Sequence, residues 1–407
     1  MTKKKVLMVL PELPWPTVTG GKRAHHANLE ELLSICSGLT LNLANIDSSP
    51  DDISSFISNH AGLNISVSET RTPELTDSKI KKIVRMAEAF LSFFPSVYYY
   101  LLKSEGRTRT EVLLETGEYD AIWVDHLHAM ALIPETVRTP VILSTQNVES
   151  TLLYDVYAST NTYGLRRLKR WVEWKKMQIL EGKILKKASA VVCLSDHDAQ
   201  TLKSTYGIEK THVLYSLLFE PADNWKPLAD TKNLLFVGQN SHTPNREAID
   251  WLVDVLAPSV QDFDASIRID IVGSYGKEFM ASAVSSNLRF HGRVTKEDLQ
   301  HLLESCTSMI CPVVLGSGIK VKILEAATNG IPVITTPESL QGLSMLDGCI
   351  VINRSDTEAA VTEICGVLND RQRLARAASR NLDVLSAEYA DRGTRMLRII
   401  DSVQLKQ

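Results

Sequence analysis

Residues 312–343 read PVVLGSGIKVKILEAATNGIPVITTPESLQGL, and the order of residue types there decides how the second half of the chain is read. The apolar run SMICP at 308–312 predicts a strand that enters a loop in which Gly316 and Gly318 let the backbone turn and a ligand approach closely. IKVKILEAA then has the pattern of a helix, ended by Asn329-Gly330 and followed, after Pro332, by another strand. The first turn of such a helix carries free N–H groups and the positive end of the dipole, which makes it an anion site. Lys320 and Lys322 gain nothing from that dipole, because cations are favoured at the opposite end; they point to an anionic ligand that offsets the repulsion. Glu325 falls on the same helix, one to two turns beyond the glycines. The bland alternative is an ordinary β/α turn with a helix salt bridge.

Outward from this block, short apolar or β-branched runs recur, each followed by a longer helical pattern. The first series is VLMVL (6–10), LTLNLANI (39–46), AIWVDH (121–126), PVILST (140–145) and AVVCLS (190–195). The second is NLLFVG (233–238), IRIDIVG (267–273), LRFHG (288–292), SMICP (308–312), IPVITT (331–336) and CIVIN (349–353). Continuous apolar strands of this kind are buried on both faces, so two successive series predict an α/β chain of two parallel-sheet domains. The chain's 407 residues suit two or three domains. FEPADNWKPLADTKN at 219–233 has little periodicity and is read as the linker, giving an N-terminal domain at 1–220 and a C-terminal domain at 230–385. A last helix is expected at 386–407, returning to the N-terminal domain with Leu397, Ile399, Ile400 and Val403.

Forty-four Lys+Arg against 48 Asp+Glu gives a net charge of −4, which argues against a general nucleic-acid binder. The six cysteines are far apart, without a CxxC pair, and are read as reduced core residues of a cytoplasmic protein. The opening apolar run is too short for a signal peptide, and Met86 to Leu102 is too interrupted to span a membrane, so attachment to a membrane surface is the most that is expected. Between Leu165 and Lys187 stand nine Lys/Arg against two Glu, with Trp174, Met177, Leu180 and Ile184 spaced to share one helical face. The functional reading is a helix on an anionic membrane, or one guiding an anionic acceptor; the bland one is a solvated helix packed on the sheet. IKKIVRMAEAFLSFFPSVYYYLL (80–102) has the same two readings.

The 312–343 block resembles the donor-sugar signature of the family 4 retaining glycosyltransferases of the GT-B architecture (glycosyl transferases group 1), in which a small-residue loop, a Lys and an EA-x-x-x-G-x-P-V helix bind a nucleotide diphosphate sugar. The resemblance implies two Rossmann-like parallel-sheet domains facing a cleft. It also implies that Glu325 holds the ribose hydroxyls, that Lys320 meets the diphosphate and acts in catalysis, and that Gly316, Ser317, Gly318 and Ile319 touch the donor. The family usually pairs two glutamates eight positions apart; Ser317 stands at the first of them here, so any sugar-contacting role of that carboxylate is lost or shifts to backbone amides and the Ser317 hydroxyl.

The resemblance extends along most of the chain. FVGQNSHTPNREAIDWL (236–252) resembles the loop where an Arg and a Lys normally grip the phosphates, but here Asn240, His242 and Asn245 fill it and Arg246 is its cation. LRFHGRV (288–294) resembles a nucleobase-lining segment, which gives backbone atoms of Arg293 and Val294 to the base. LPELPWPTVTGGKRAHH (10–26) resembles the loop beside the donor phosphate, with Gly20 and Gly21 in close approach to the ligand. In AIWVDHLHAM (121–130), Asp125 stands where family members often keep a catalytic His, so the role is assigned to Asp125 or His126, with His128 on the acceptor side. STQNVEST (144–151) resembles an H-N-V-E segment with Gln146 in place of His, which makes Asn147 and Glu149 acceptor contacts. Glu181, on the helix before AVVCLSDHD, is read as an ordinary solvent-facing charge.

The expected activity is metal-independent transfer of a sugar, hexosyl or other, from a nucleotide diphosphate sugar to a hydroxyl of a saccharide or lipid-linked acceptor, with retention and without a cofactor, in cell-surface polysaccharide or glycoconjugate synthesis. The alternatives are a nucleotide-sugar epimerase or phosphorylase on the same fold, or a non-catalytic nucleotide-sugar-binding protein. Asp262-Phe263-Asp264 is a DxD, but three residues match readily by chance and it lies far from the glycine loop in sequence, so no metal site is expected.

Overall fold

The structure is a computed structural model that describes residues 4–17, 19–45, 48–69, 79–159, 163–217, 219–225, 231–275, 285–316 and 318–404. The chain divides into two compact units, Met1–Leu218 with Asp391–Gln407, and Phe219–Ala390.

The first unit is built on seven parallel strands: β1 (Lys5–Leu10), β2 (Gly38–Asn45), β3 (Asn64–Glu69), β4 (Ala121–Asp125), β5 (Val141–Thr145), β6 (Ala190–Cys193) and β7 (Thr211–Val213). Their spatial order is β3-β2-β1-β4-β5-β6-β7, with Val6 of β1 paired to Leu39 and to Ala121 on its two sides. Successive side chains of a strand point to opposite faces, and both faces are covered. Leu7, Val9, Ile122 and Val124 enter one core with Leu101, Met177, Leu180 and Ile184. Val6, Met8, Leu10 and Trp123 enter the other with Leu29, Leu32, Phe56, Met396 and Ile400. Full burial stabilises each such side chain by about 1.5–3 kcal/mol.

The second unit carries six parallel strands, β8 (Lys232–Val237), β9 (Ile267–Val272), β10 (Leu288–Gly292), β11 (Ser308–Cys311), β12 (Val333–Thr335) and β13 (Ile350–Val351), in the order β10-β9-β8-β11-β12-β13. Eleven strands coincide with the runs read from the sequence. The other two, β3 and β7, are the edges of the first sheet. NISVSE of β3 alternates polar with apolar, and β7 has three half-buried residues, so neither shows the continuous apolar signal of a central strand.

The last helix differs from its expected bounds. It runs Arg371–Gln404, not from 386, because Leu374, Ala377, Ala378, Leu382 and Leu385 are buried at helical spacing and the Asp370 carboxylate accepts from the Arg373 N–H at 2.9 Å. Its residues up to Ala390 belong to the second unit; from Asp391 onward they belong to the first, where Met396, Ile399, Ile400 and Val403 are buried. The basic stretch 165–187 is one helix that buries Met177, Leu180, Ile184 and Leu185. All six cysteines are free, four of them buried. Among the described residues no helix is long and apolar enough to cross a membrane.

Candidate functional site

In the second unit, β11 leaves the sheet through a loop pinned at successive carbonyls. Arg354 Nη1 donates to Pro312 O (2.6 Å), while Thr336 Oγ1 and Ser339 Oγ donate to Val313 O (2.8 and 2.6 Å). Arg354 is held in turn by a bidentate pair with Glu247 (2.6 and 2.8 Å). Gly316 and Gly318 then turn with φ of 83° and 80°, conformations that favour glycine, and the helix Val321–Thr328 begins. Ser317 lies outside the described residues.

Lys320 caps the helix start, and its Nζ donates to Gly316 O (2.7 Å) and Gly318 O (3.0 Å), so the cation braces the glycine loop. Ile319 is half-buried, as is Glu325, which sits in the helix's second turn. Asn240 and Arg246 are brought together, Arg246 Nε donating to the backbone and side-chain oxygens of Asn240 (3.1 and 3.2 Å). The sequence reading left Arg246 as the cation of that loop; the fold supplies a second one, Lys322. Its Nζ donates to Asn245 Oδ1 (2.7 Å) and lies 4.4 Å from the centre of the Phe236 ring. Burial lowers the Lys322 pKa, with the Lys320 charge adding to it, and burial with both lysines lowers that of His242. Two lysines of one helix start thus reach different neighbours, Lys320 the glycine loop and Lys322 the segment after β8.

Arg293 and Val294 follow β10 at the sheet edge, and no hydrogen bond or ion pair joins them to this group among the described residues. Asp264 of the DxD is held by Lys232 (2.7 Å) and Ser266, which keep its carboxyl below the usual range; among the described residues no group of three or more His, Cys, Asp or Glu could hold a metal ion.

In the first unit, the exits of β4 and β5 bring together most of the remaining candidates. His126 leaves β4 at φ 100°, and it alone among the described non-glycine residues has a positive φ, a strained conformation of the kind that clusters at functional sites. Its Nε2 lies 3.5 Å from Glu149 Oε1, the His128 Nε2 lies 3.9 Å from Glu149 Oε2, and the two imidazoles stack at 4.9 Å. Asn147, half-buried, sits beside them and bonds Glu149 through its side chain. Asp125 has no exposed surface; its Oδ2 accepts from Asn28 Nδ2 (3.0 Å) and faces His25 Nδ1 (3.2 Å). Gly20 and Gly21 open the helix Gly20–Ile35, where Thr19 Oγ1 accepts from the Lys22 N–H.

Glu181 corrects the sequence reading. It is fully buried, and its carboxylate accepts from the N–H groups of Glu149 (2.8 Å) and Ser150 (3.1 Å), free donors of the helix Glu149–Ser159, and from Tyr206 OH (2.8 Å). The signal was present in the sequence: position 181 lies four beyond Met177 and three before Ile184, on the apolar face of its helix. His25 and Asn28, which reach Asp125, and Arg392, which reaches Asn28, were also missed, since they come from distant parts of the chain.

Glu149 is buried close to Glu181, and burial followed by that second carboxylate raises its pKa to about 8. Burial holds His126 well below the usual imidazole range and His128 at about 4. At neutral pH the trio is therefore a carboxylic acid facing two neutral imidazoles. A carboxyl whose pKa rises from 4.5 unfolded to about 8 folded binds more protons in the native state, so folding loses stability between those two values and levels off above them. Glu149→Gln removes this titration: in denaturant unfolding followed from pH 4.5 to 9, the variant is expected to gain on the wild type as pH rises to 8 and no further. A constant difference would place the raised pKa elsewhere.

Comparison with known proteins adds to this geometry. Residues 231–370 match the family model described as glycosyl transferases group 1. The search of curated protein sequences finds no match. Among solved structures, the chain resembles a sucrose-phosphate synthase from Thermosynechococcus elongatus at a TM-score of 0.68 and 13% identity, over 99% of this chain and 100% of that one. It resembles Anabaena HepE in complex with UDP and glucose at 0.62 and 13%, over 98% and 100%. It also resembles a mutant of S. aureus TarM in complex with fondaparinux, alpha-GlcNAc-glycerol and UDP, at 0.64 and 10%, over 98% and 99%. At these identities the structures establish the fold. The glycine loop, Lys320 and Glu325 lie inside the range that matches glycosyl transferases group 1, and the two parallel sheets have the GT-B fold of these solved structures.

Proposed function

We propose that the chain moves a sugar from a nucleotide diphosphate sugar to an acceptor hydroxyl with retention, without a metal, in the synthesis of a surface polysaccharide or glycoconjugate. The observation that carries this is the pinned glycine loop braced by Lys320 at a helix start, with Lys322 of the same helix held on Asn245. Negative charge grows on the leaving diphosphate in the transition state, and fixed cations and N–H dipoles stabilise it without reorganising. The nucleotide reading draws support from the UDP held by HepE and TarM. Glu325 is assigned to the ribose. His126, His128, Asn147 and Glu149, with donors and acceptors at one strand-end cluster, are assigned to the acceptor side.

The same reading includes peripheral contact with an anionic membrane. Leu165 is 84% exposed at the start of the basic helix, beside exposed Arg166, Arg167 and Lys169. The same helix meets the segment 89–96, where Lys176 donates to Phe90 O (2.7 Å) and Glu173 accepts from the Ser96 N–H (2.9 Å); there Leu91 and Phe93 are 80% and 94% exposed. Apolar side chains among cations suit the interface of an anionic bilayer.

Donor binding is read first, by thermal shift against a panel of nucleotide sugars, since a ligand of the native state raises stability by mass action. With the donor found, Glu325→Gln is expected to weaken its binding by about 1.5–3 kcal/mol, the worth of a charged hydrogen bond. Lys320→Ala is expected to lower kcat more than donor affinity, because the cation meets charge that develops on the way to the transition state. Both variants turning over like the wild type would remove this loop from the donor site, and 2-epimer product without acceptor would make the enzyme an epimerase. Activity is expected to persist in EDTA; complete loss restored by manganese would contradict the metal-independent reading. Reversing the charges of Arg167, Lys169, Arg170 and Lys175 together is expected to release the protein from anionic liposomes, at about 1 kcal/mol for each basic residue. A wild type that ignores such liposomes leaves the helix a packing element alone.

A further inference from the structure

Five polar side chains that the reaction does not obviously need are buried in one continuous line in the first unit. Arg392, 2% exposed on the last helix, donates through Nη2 to Asn28 Oδ1 at 2.7 Å. Asn28 donates through Nδ2 to Asp125 Oδ2 (3.0 Å) and to Ser144 Oγ (3.2 Å). Asp125 Oδ2 faces His25 Nδ1 at 3.2 Å, and Gln146 Nε2 lies 3.0 Å from His25 Nε2 and 3.1 Å from its Nδ1. Gln146 Nε2 donates to Gly21 O at 3.1 Å.

We propose that Arg392, Asn28, Asp125, His25 and Gln146 form a buried relay that positions the Gly20–Gly21 turn, so that a residue near the end of the chain sets the geometry at the exit of its first strand. The orientation of Asn28 in the line is forced. A guanidinium has only donors, so the Asn28 oxygen must face Arg392 and its amide hydrogens must face Asp125 and Ser144. A carboxylate oxygen facing Nδ1 at 3.2 Å favours the Nδ1–H form of His25, and the Gln146 amide, 3.1 Å from Nδ1 and 3.0 Å from Nε2, then has Nε2 as its acceptor. Gln146 lies flush on the turn: a Cβ at Gly21 would stand 2.9 Å from Gln146 Oε1, which accounts for glycine there. Arg392 is itself fixed, by Glu31 Oε2 (3.0 Å), Ala27 O (3.1 Å) and Tyr215 O (3.1 Å), so it grips the helix Gly20–Ile35 at residues 27, 28 and 31. Buried polar groups are costly when a partner is lost, so removing one member disturbs the next rather than relaxing into solvent. Asp125, with no exposed surface, acts as the anchor of this line and does not touch substrate.

The relay bears on donor binding only through the proposed role of Gly20 and Gly21, so its test is read without substrate. Full-length protein labelled with 15N-histidine and 15N-glycine reports the His25 tautomer and the Gly20 and Gly21 amides, assigned by the signals lost in His25→Gln and in Gly21→Ala. The wild type is expected to show the Nδ1–H form alone. Arg392→Ala and Asn28→Ala are expected to give a tautomer mixture and displaced glycine amides, with Arg392→Lys restoring part of the wild-type pattern. A folded Arg392→Ala protein whose His25 and Gly21 signals stay in place overturns the proposal. Should Arg392→Ala fail to fold, Gln146→Ala probes the other end of the line, and unchanged His25 and Gly21 signals there overturn it equally. A relay that holds while no nucleotide sugar binds would remove the transferase reading alone; a sugar that binds while the signals stay unmoved would remove the relay alone.

Discussion

A parallel sheet covered on both faces has only its ends free for chemistry, and this constraint arranges the whole molecule. In the first unit, alternate residues of β1 and β4 enter two separate cores, so no side chain along either strand is available to a ligand. What remains is the carboxyl end, where each strand passes into a loop or a helix start. The turn before Gly20 follows β1, Asp125 and His126 close β4, Gln146 to Glu149 follow β5, and Asn240 and Gly316 follow β8 and β11. These candidates come from five separate stretches of sequence, yet every one of them stands at the same kind of place.

Ends of this sort are exposed to a second difficulty, the disposal of charge. The first unit buries Glu149, Glu181, Asp125, Arg392 and His25 with almost no access to water. Two carboxyls side by side cannot both ionise cheaply in such surroundings, and the molecule answers by giving Glu181 two backbone N–H groups and a tyrosine hydroxyl while Glu149 keeps its proton. Asp125 is answered differently, by an amide whose direction a guanidinium fixes. The second unit does the opposite, holding Lys320 and Lys322 beside each other against carbonyl and amide oxygens with no carboxylate bonded to Lys322 among the described residues. One cluster thus answers its buried charge with amides, a hydroxyl and a guanidinium, and the other holds its two lysines against neutral oxygens.

By itself the sequence determined the class of fold, the central strands and the glycine loop with its helix, because these follow from local signals: continuous apolar runs, a helical period, and glycines before a cation and a carboxylate. It missed the edge strands β3 and β7, whose half-exposed residues lack that signal, and it started the last helix fifteen residues late. Only the tertiary structure decided which polar residues meet. His25, Asn28 and Arg392 lie up to 367 positions apart in number yet share one line of contacts, and Lys322 reaches Asn245 across 77 positions. Glu181 had an ordinary helical position, and it became a buried cap because another helix begins against it. Hydrophobic pattern is written along the chain, whereas the partner of a polar group is whatever the packed sheets bring within about 3 Å of it.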